Sequence, residues 1–551
     1  MNRKLLLSIL FLAFCIHSVH STILHVNANV QGGNQDGTSW ADAFPLLQSA
    51  IIAAQYGDTV WVAQGTYLPT TGTNRNISFT LKNGVRFFGG FTGVETALDE
   101  RDWEANPTIL SGDIGVPGDS TDNSYTVVYC NFADSNTVLD GFVIISGNAD
   151  NGATSVPPSS RTKSGGGLYL EGSSPLEDVR PWVVNCRFAC NTAVSNGGAV
   201  YMRSTGAGSC SPYFKGCVFE SNHAFYGGAM YKEGGSLLHD MSVMGCRFDS
   251  NSADFYGGGL GYNSTNGNKK VTIRECEFIS NNGTLSGGAF HQDVLSSSSQ
   301  LQFIGCRFTS NFSLGGGVLS VFNWVYNEHL KVDKCDFSFN NIPDGAIVIY
   351  DYGVINVDSC NFKDNSQSAW GTHLTCSNAN LIVTNSHFDE IGISDAGRLL
   401  DMGGNSFVYF TNCSIYRNDG EISVLINTHA DAGIEGGIFL NNSIVFGNNV
   451  APSGFLVFLA NDIITFTLSH TLIDVPDCAS IANGPVTCGP GNLFNLDPLF
   501  ADTAASDFTL LPCSPAINAG SNAIIDSLGI LTDIAGNPRI QGGTVDMGAY
   551  E

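Results

Sequence analysis

Positive charge is scarce in this chain. Lys and Arg number 24 against 50 Asp and Glu, a net charge of −26, so most of the surface repels phosphate backbones and anionic headgroups, and nucleic acid is not an expected partner. Charge of either sign is sparse too, at 13% of residues, which speaks against a fold built from long solvated helices. Beyond the first twenty residues no apolar run reaches the roughly 18 residues that a membrane-spanning helix requires. Spacings such as C-x2-C, which would signal a metal site, are missing although the chain holds 16 cysteines.

What is plentiful is Gly (64) and Phe (35), the composition of a chain rich in turns and flat apolar layers. Seven cysteines, Cys186, Cys217, Cys246, Cys276, Cys306, Cys335 and Cys360, recur at intervals of 31, 29, 30, 30, 29 and 25 residues. Each is followed two residues later by Phe (Phe188, Phe219, Phe248, Phe278, Phe308, Phe337, Phe362) and five residues later by Asn (Asn191, Asn222, Asn251, Asn281, Asn311, Asn340, Asn365). In a strand, residues two apart share a face, so Cys and Phe enter a core while the residue between them looks outward. The Asn falls at a turn, where it tolerates a left-handed backbone and can bond to the Asn of the next repeat, forming a ladder. Apolar pairs such as Val271 and Ile273 precede each Cys, and glycine-led runs such as Gly227-Gly228-Ala229-Met230 follow it.

Three short strands per repeat predict an all-β, single-stranded right-handed parallel β-helix. The inward cysteines are expected to be buried free thiols, because stacked strands hold their Cα atoms near the short end of the bridging range. Cys478 with Cys488, and Cys190 with Cys210, are the candidate disulfide pairs outside this column.

The F-x-x-N and G-G-A signatures resemble the repeats of polymorphic outer-membrane proteins, and the coil pattern is similar to the pectin-lyase-like superfamily, over roughly residues 165–448. That resemblance implies a β-helix but no single activity, since lyases, hydrolases, adhesins and passenger domains share the scaffold. Gly89-Gly90-Phe91 and Arg101-Asp102-Trp103 resemble the capping region of secreted bacterial β-helix proteins. Asp497-Pro498-Leu499-Phe500, Ser514-Pro515-Ala516-Ile517-Asn518-Ala519-Gly520 and Asp546-Met547-Gly548-Ala549-Tyr550-Glu551 resemble the choice-of-anchor Q module, which implies a cell-surface location; free secretion stays open.

The expected organisation is a signal peptide over 1–21, a cap helix with the first coils over 22–130, repeats over 131–494 and a closing module over 495–551. Arg3 and Lys4 ahead of an apolar run to Ile16 mark the leader and a secreted or cell-surface destination. Leu47, Ala50, Ile51 and Ala54 outline one apolar helical face between Ser39 and Tyr56, with Ser39 or Asp42 as the cap. The stretch from Gly147 to Lys163 reads as an exposed loop. Ile391 stands where an Asn is due, so the ladder should break there.

Any chemistry must sit on outward residues. The row between Cys and Phe reads Arg187, Val218, Arg247, Glu277, Arg307, Asp336, Asn361 and His387. Arg247, Glu277, Arg307 and Asp336 alternate in sign and are the candidate catalytic groups of a polysaccharide lyase, which would add Ca²⁺ to neutralise a uronate; no other cofactor and no protein-held metal is expected. The competing reading is a solvated charge ladder. Tyr169, Tyr201 and Tyr231, with His291, stand at outward places after successive glycine pairs and are the candidate glycan contacts, since aromatic faces suit sugar rings. A regular repeat without a standout catalytic cluster favours a non-catalytic adhesin or glycan-contacting module. The alternative is a lyase or glycoside hydrolase acting on acidic polysaccharide.

Overall fold

A computed structural model describes residues 21–551 except 175–177, 207, 235–239, 265–268, 295–298, 324–327, 343–344, 351–352, 366–371, 390–397, 417–424, 430–434 and 449–454. Residues 1–20 of the leader and Ile391 therefore lie outside the described residues. The chain coils into a right-handed parallel β-helix with three long parallel sheets. The first has sixteen strands, from Ile23–Val26 to Val486–Cys488; the second fifteen, from Gly65–Tyr67 to Leu493–Phe494; the third thirteen, from Phe79–Thr80 to Val457–Phe458.

One coil shows why the sequence folds this way. Met241–Met244 lies in the first sheet and Arg247–Asp249 in the second, with a single left-handed residue, Gly245 (φ 57°), between them. Cys246 and Phe248 point inward at 1% and 0% exposure. Phe188, Phe219, Phe248, Phe278, Phe308, Phe337, Phe362 and Phe388 pair in strict register. Their rings stack at centroid distances from 4.6 to 5.1 Å, so each coil's ring is the lid of the last. The seven column cysteines are free and buried, and burial pushes the Cys186 thiol up to about 12, which keeps it protonated and inert.

The asparagines close the second corner from inside. Asn251 Oδ1 accepts from Asn222 N and Nδ2, both at 3.0 Å, while its own Nδ2 donates to Asn281 Oδ1 at 3.0 Å and Phe219 O at 2.9 Å. The same bonds run from Asn191 to Asn365, and every one of these side chains is fully buried. The left-handed backbone, however, belongs to the residue before each Asn: Cys190, Ser221, Ser250, Ser280, Ser310, Phe339 and Asp364, with φ of 50–57°. The Asn is selected for its amide, which has to reach inward, and its neighbour takes the strain.

Two features depart from the three-strand coil. Between the Asn and the glycine pair, five coils add a fourth short strand, forming an outer sheet from Asn148–Ala149 through Thr192–Asn196, His223–Tyr226 and Ser252–Tyr256 to Asn282–Gly283. It doubles back over the third sheet as a fin. Gly228 permits the reversal: a Cβ there would meet the carbonyl oxygens of Gly258 and Ser252 at 2.4 Å. The helix is also shorter than expected, Leu47–Ala53, and has no side-chain cap. Ser39 and Asp42 bond each other instead, Ser39 Oγ donating to Asp42 Oδ2 at 2.9 Å. Leu47, Ala50 and Ile51 still cover the open end, beside the strand Ile23–Val26, which precedes the Thr59–Ala63 strand and pairs with it.

The segment 151–164 is tied down: Tyr169 Oη donates to Ser159 O at 2.7 Å and Arg161 lies over the Tyr129 ring at 4.6 Å. The sulfurs of Cys478 and Cys488 are bonded, with Cα atoms 6.3 Å apart, at the far end of the solenoid. Cys190 and Cys210 are not: the first is exposed at the outer turn and the second buried in the core, both as free thiols. The C-terminal segment lies along the flank of the second sheet. Lys363 Nζ donates to Ser506 Oγ at 2.6 Å, Phe508 covers His387 at 3.9 Å, and Ala549 N donates to Ser414 Oγ at 2.9 Å. Buried Arg539 gathers the carbonyls of Asp546, Gly548 and Ala549, which gives the terminal Asp-Met-Gly-Ala-Tyr-Glu motif a structural task.

Three outcomes follow from this packing. Asn251→Ala orphans two buried donors on Asn222 and one carbonyl, and should lower stability by about 2–5 kcal/mol, read as a reduced urea midpoint. Phe339→Asn relieves a left-handed phenylalanine that is 51% exposed and should stabilise by about 0.5–1 kcal/mol; an unchanged melting temperature would contradict the strain. Burial lowers His291, His373 and His387 from 6.5 to about 3. Because their unfolded pKa is the higher one, the unfolded chain binds more protons between these values. Their contribution is complete above pH 6.5 and is lost as pH falls toward 3. Melting temperature should therefore hold steady above that window and fall through it, less steeply in His387→Phe.

Candidate functional site

The alternating charges of the second sheet are in register on neighbouring rungs: Arg247, Glu277, Arg307, Asp336, Asn361. Arg307 Nη1 meets Glu277 Oε1 at 3.1 Å, and Arg247 binds Asp249 at 2.6 Å and Glu277 at 3.8 Å. Asp336 accepts from Asn361 Nδ2 at 3.2 Å. The ion-paired side chains are largely solvated, Arg307 at 61% and Arg247 at 47%, and neutralise one another. Such pairs contribute about 0.2–1 kcal/mol of cross-strand cohesion each. Their geometry is that of a charge ladder. His387, the last of the row, is not on the open face, because Phe508 covers it.

The tyrosines correct a second expectation. Tyr169, Tyr201 and Tyr231 do point outward from the third sheet and stack in register, yet they are 2%, 0% and 9% exposed, and His291 is 4% exposed. The fin covers them: Tyr226 packs on Tyr231 and Tyr256 stacks on His291 at 4.2 Å. A sugar ring cannot reach these faces. They form a small second core between fin and sheet, and burial keeps the Tyr169 and Tyr231 phenols protonated.

Two residues further along each strand the same face is open. Glu171, Arg203, Glu233, Asn263 and Asp293 pair in register on five successive coils, all half-buried beside the fin. Arg203 bonds Glu171 at 3.2 Å and Tyr201 Oη bonds the Glu233 carboxylate. The register continues through Phe322, Tyr350, Ser377 and Gly403 to His429, a track of nine rung steps, about 43 Å at 4.8 Å per step.

Beyond the fin this track opens into a cavity of about 670 Å³, lined by Ser377, Asn378, Arg398, Asn427, His429 and Phe458 among others. Asp401 is its hub. Asp401 Oδ1 accepts from Asn427 Nδ2 at 2.9 Å and lies 2.8 Å from His429 Nε2, and Arg398 Nη1 lies 3.8 Å from Oδ2. Asn427 Nδ2 also stands 2.7 Å from His429 Nε2, so Asp401, Asn427 and His429 form one polar triad. Gly404 (φ 60°) keeps the floor clear, since a Cβ there would lie 2.2 Å from Asn378 Oδ1. Donors, acceptors, one cation and one aromatic wall converge in a space within the usual ligand-pocket range.

Sequence reasoning missed this group. Arg398, Asp401, Asn427 and His429 come from two coils in which the Cys-x-Phe-x-x-Asn pattern has faded, and nothing but spatial register brings them together. Among the described residues no cluster of three or more His, Cys, Asp or Glu is arranged to hold a metal ion. No helix among them is long and apolar enough to cross a membrane.

No family model matches the sequence, and no curated protein matches it. Among solved structures the chain is similar to the crystal structure of pectate lyase Pel9A, at a TM-score of 0.33 and 13% identity over 97% of each chain. The β-helix itself is established by the strand registers, and the cavity by its own residues.

Proposed function

We propose that this chain is a secreted or cell-surface β-helix that binds an extended polysaccharide along the outer face of the third sheet, as an adhesin or glycan-contacting module. The observation that carries the reading is the Asp401-centred cavity at the end of the polar track. Sugar recognition needs planar amide, carboxylate and guanidinium groups for paired hydroxyls and an aromatic face for the ring. Asn427, Arg398 and Phe458 line one space, and Asp401, bonded to Asn427, adjoins it. The leader at Arg3 to Ser21 and the bonded Cys478–Cys488 pair suit an exported protein.

The His429–Asp401 pair favours a second reading, cleavage of an acidic polysaccharide. An imidazole held by a carboxylate is a competent general base, and Arg398 could hold a uronate carboxylate beside it. A rise in unsaturated-uronate absorbance with pectate, alginate or glycosaminoglycan, abolished by His429→Gln, would replace binding with lyase chemistry.

In affinity electrophoresis against a polysaccharide panel, Asp401→Ala and Arg398→Ala should each weaken retention about tenfold or more, the loss expected when a charged hydrogen-bond partner is removed. Arg307→Ala on the second sheet should leave retention unchanged. Equal retention of the two cavity variants and the wild type would sink the proposed face.

A further inference from the structure

A second cavity, of about 350 Å³, lies at the corner of the first and second sheets, away from the third-sheet face. Its floor is the in-register row Val143, Arg187, Val218, its walls are Asn185 and Gly216, and the turn carrying Trp103, Glu104 and Pro107 forms its rim.

The rim is firmly built. Arg101 Nη1 donates to Gly89 O at 2.9 Å and Asp140 O at 3.2 Å, and Nη2 meets Asp140 Oδ1 at 2.8 Å. This ion pair is 7% and 12% exposed. The guanidinium lies 4.9 Å from the Phe88 ring centroid and 5.0 Å from that of Trp103. Two glycines let the turn approach the coil: a Cβ at Gly90 would meet Trp103 Cα at 2.6 Å, and one at Gly141 would meet Trp103 Cβ at 2.9 Å. The tryptophan is thus held in one place over the cavity, with little ordering left to do when a ligand arrives.

The lining sets the ligand's chemistry. Trp103, Val143 and Val218 offer flat apolar surface. Polar groups stand at its edge: Arg187, whose Nε and Nη2 are taken by Glu220 at 3.0 and 2.7 Å while Nη1 lies outside that pair; Asn185, whose Nδ2 donates to Asp140; and exposed Glu104. Gly216 opposite Asn185 leaves the Asn185 Oδ1 side unfilled, that oxygen being the only side-chain acceptor a Cβ would meet, at 2.9 Å. With Arg187 already matched by Glu220 and Arg101 by Asp140, the cavity holds no spare cation for an anionic ligand.

We infer that this corner is a binding site for a single uncharged pyranose ring, stacked on Trp103 and hydrogen-bonded through its hydroxyls to Arg187, Asn185 and Glu104. The volume is at the small end of ligand pockets, which suits a monosaccharide or the terminal unit of a glycan. The site is separate from the Asp401 cavity, so either could fail without the other.

The test is a titration of the full chain with methyl hexopyranosides and methyl N-acetylhexosaminides, read by tryptophan fluorescence and by saturation transfer from protein to sugar protons. At least one sugar should give a saturable change. Trp103→Ala should abolish it, Trp103→Phe should retain part of it, and Arg187→Ala should weaken it about tenfold. Asp401→Ala should leave it intact. If Trp103→Ala does not fold, Arg187→Ala and Glu104→Gln decide: unchanged affinity in both overturns the site, as does the lack of a saturable signal with every sugar of the panel. A signal that survives in folded Trp103→Ala but vanishes in Asp401→Ala would assign the sugar to the other cavity and overturn this one.

Discussion

From Asn191 to Asn365 each coil is held in line with the next by one buried amide. An Asn side chain at the inside of the second corner has two donors and one oxygen that must all be matched away from water, and the matching partners sit one rung above and one below. Slipping a coil by one residue would break several of those bonds at once and turn a stacked Phe outward. The amide and the ring therefore fix the same register by different means, polar satisfaction and apolar contact, and both outward faces inherit it. The Asp401 cavity exists only because residues 26 to 28 apart in sequence are delivered to adjacent rungs.

How much of this was legible depends on what repeats. Cys, Phe and Asn recur because each occupies a position whose neighbours are copies of itself, so one geometry selects one residue type seven times. The fin was not legible: Thr192-Ala193, His223-Ala224 and Ser252-Ala253 are too short to show a period, and the segment up to each glycine pair reads as a turn. That omission misplaced Tyr169, Tyr201 and Tyr231, whose alternation was read correctly as outward but whose outward side is roofed. The left-handed residues were hidden for another reason. Four are Ser, but Cys190, Phe339 and Asp364 hold the same place and share no chemistry, because the corner asks only for a backbone angle and the adjacent bonds compensate its cost. The cavity was out of reach because its members carry no local pattern.

The surplus of acid also has a local meaning. Its carboxylates are spent where backbone N–H groups need acceptors: Glu95 takes four bonds around Thr92–Val94 and is held down at about 2, and Asp533, Asp546 and Glu551 tie the C-terminal segment to itself. The few arginines are placed singly among several acceptors, as at Arg101 and Arg539. Scarce cations thus act as knots in an acidic fabric.

The C-terminal segment gives the molecule two mechanically different halves. A solenoid whose coils touch only their neighbours can fray one rung at a time from either end. Here residues 506–549 touch coils that carry Lys363, His387, Ser414 and Asn442, so four rungs are splinted together from outside. Those rungs must open as one unit, whereas the fin-bearing coils before them remain free to breathe singly. A pull along the axis would be borne by the splinted half and yielded to by the other, so that the solenoid stretches from one end only.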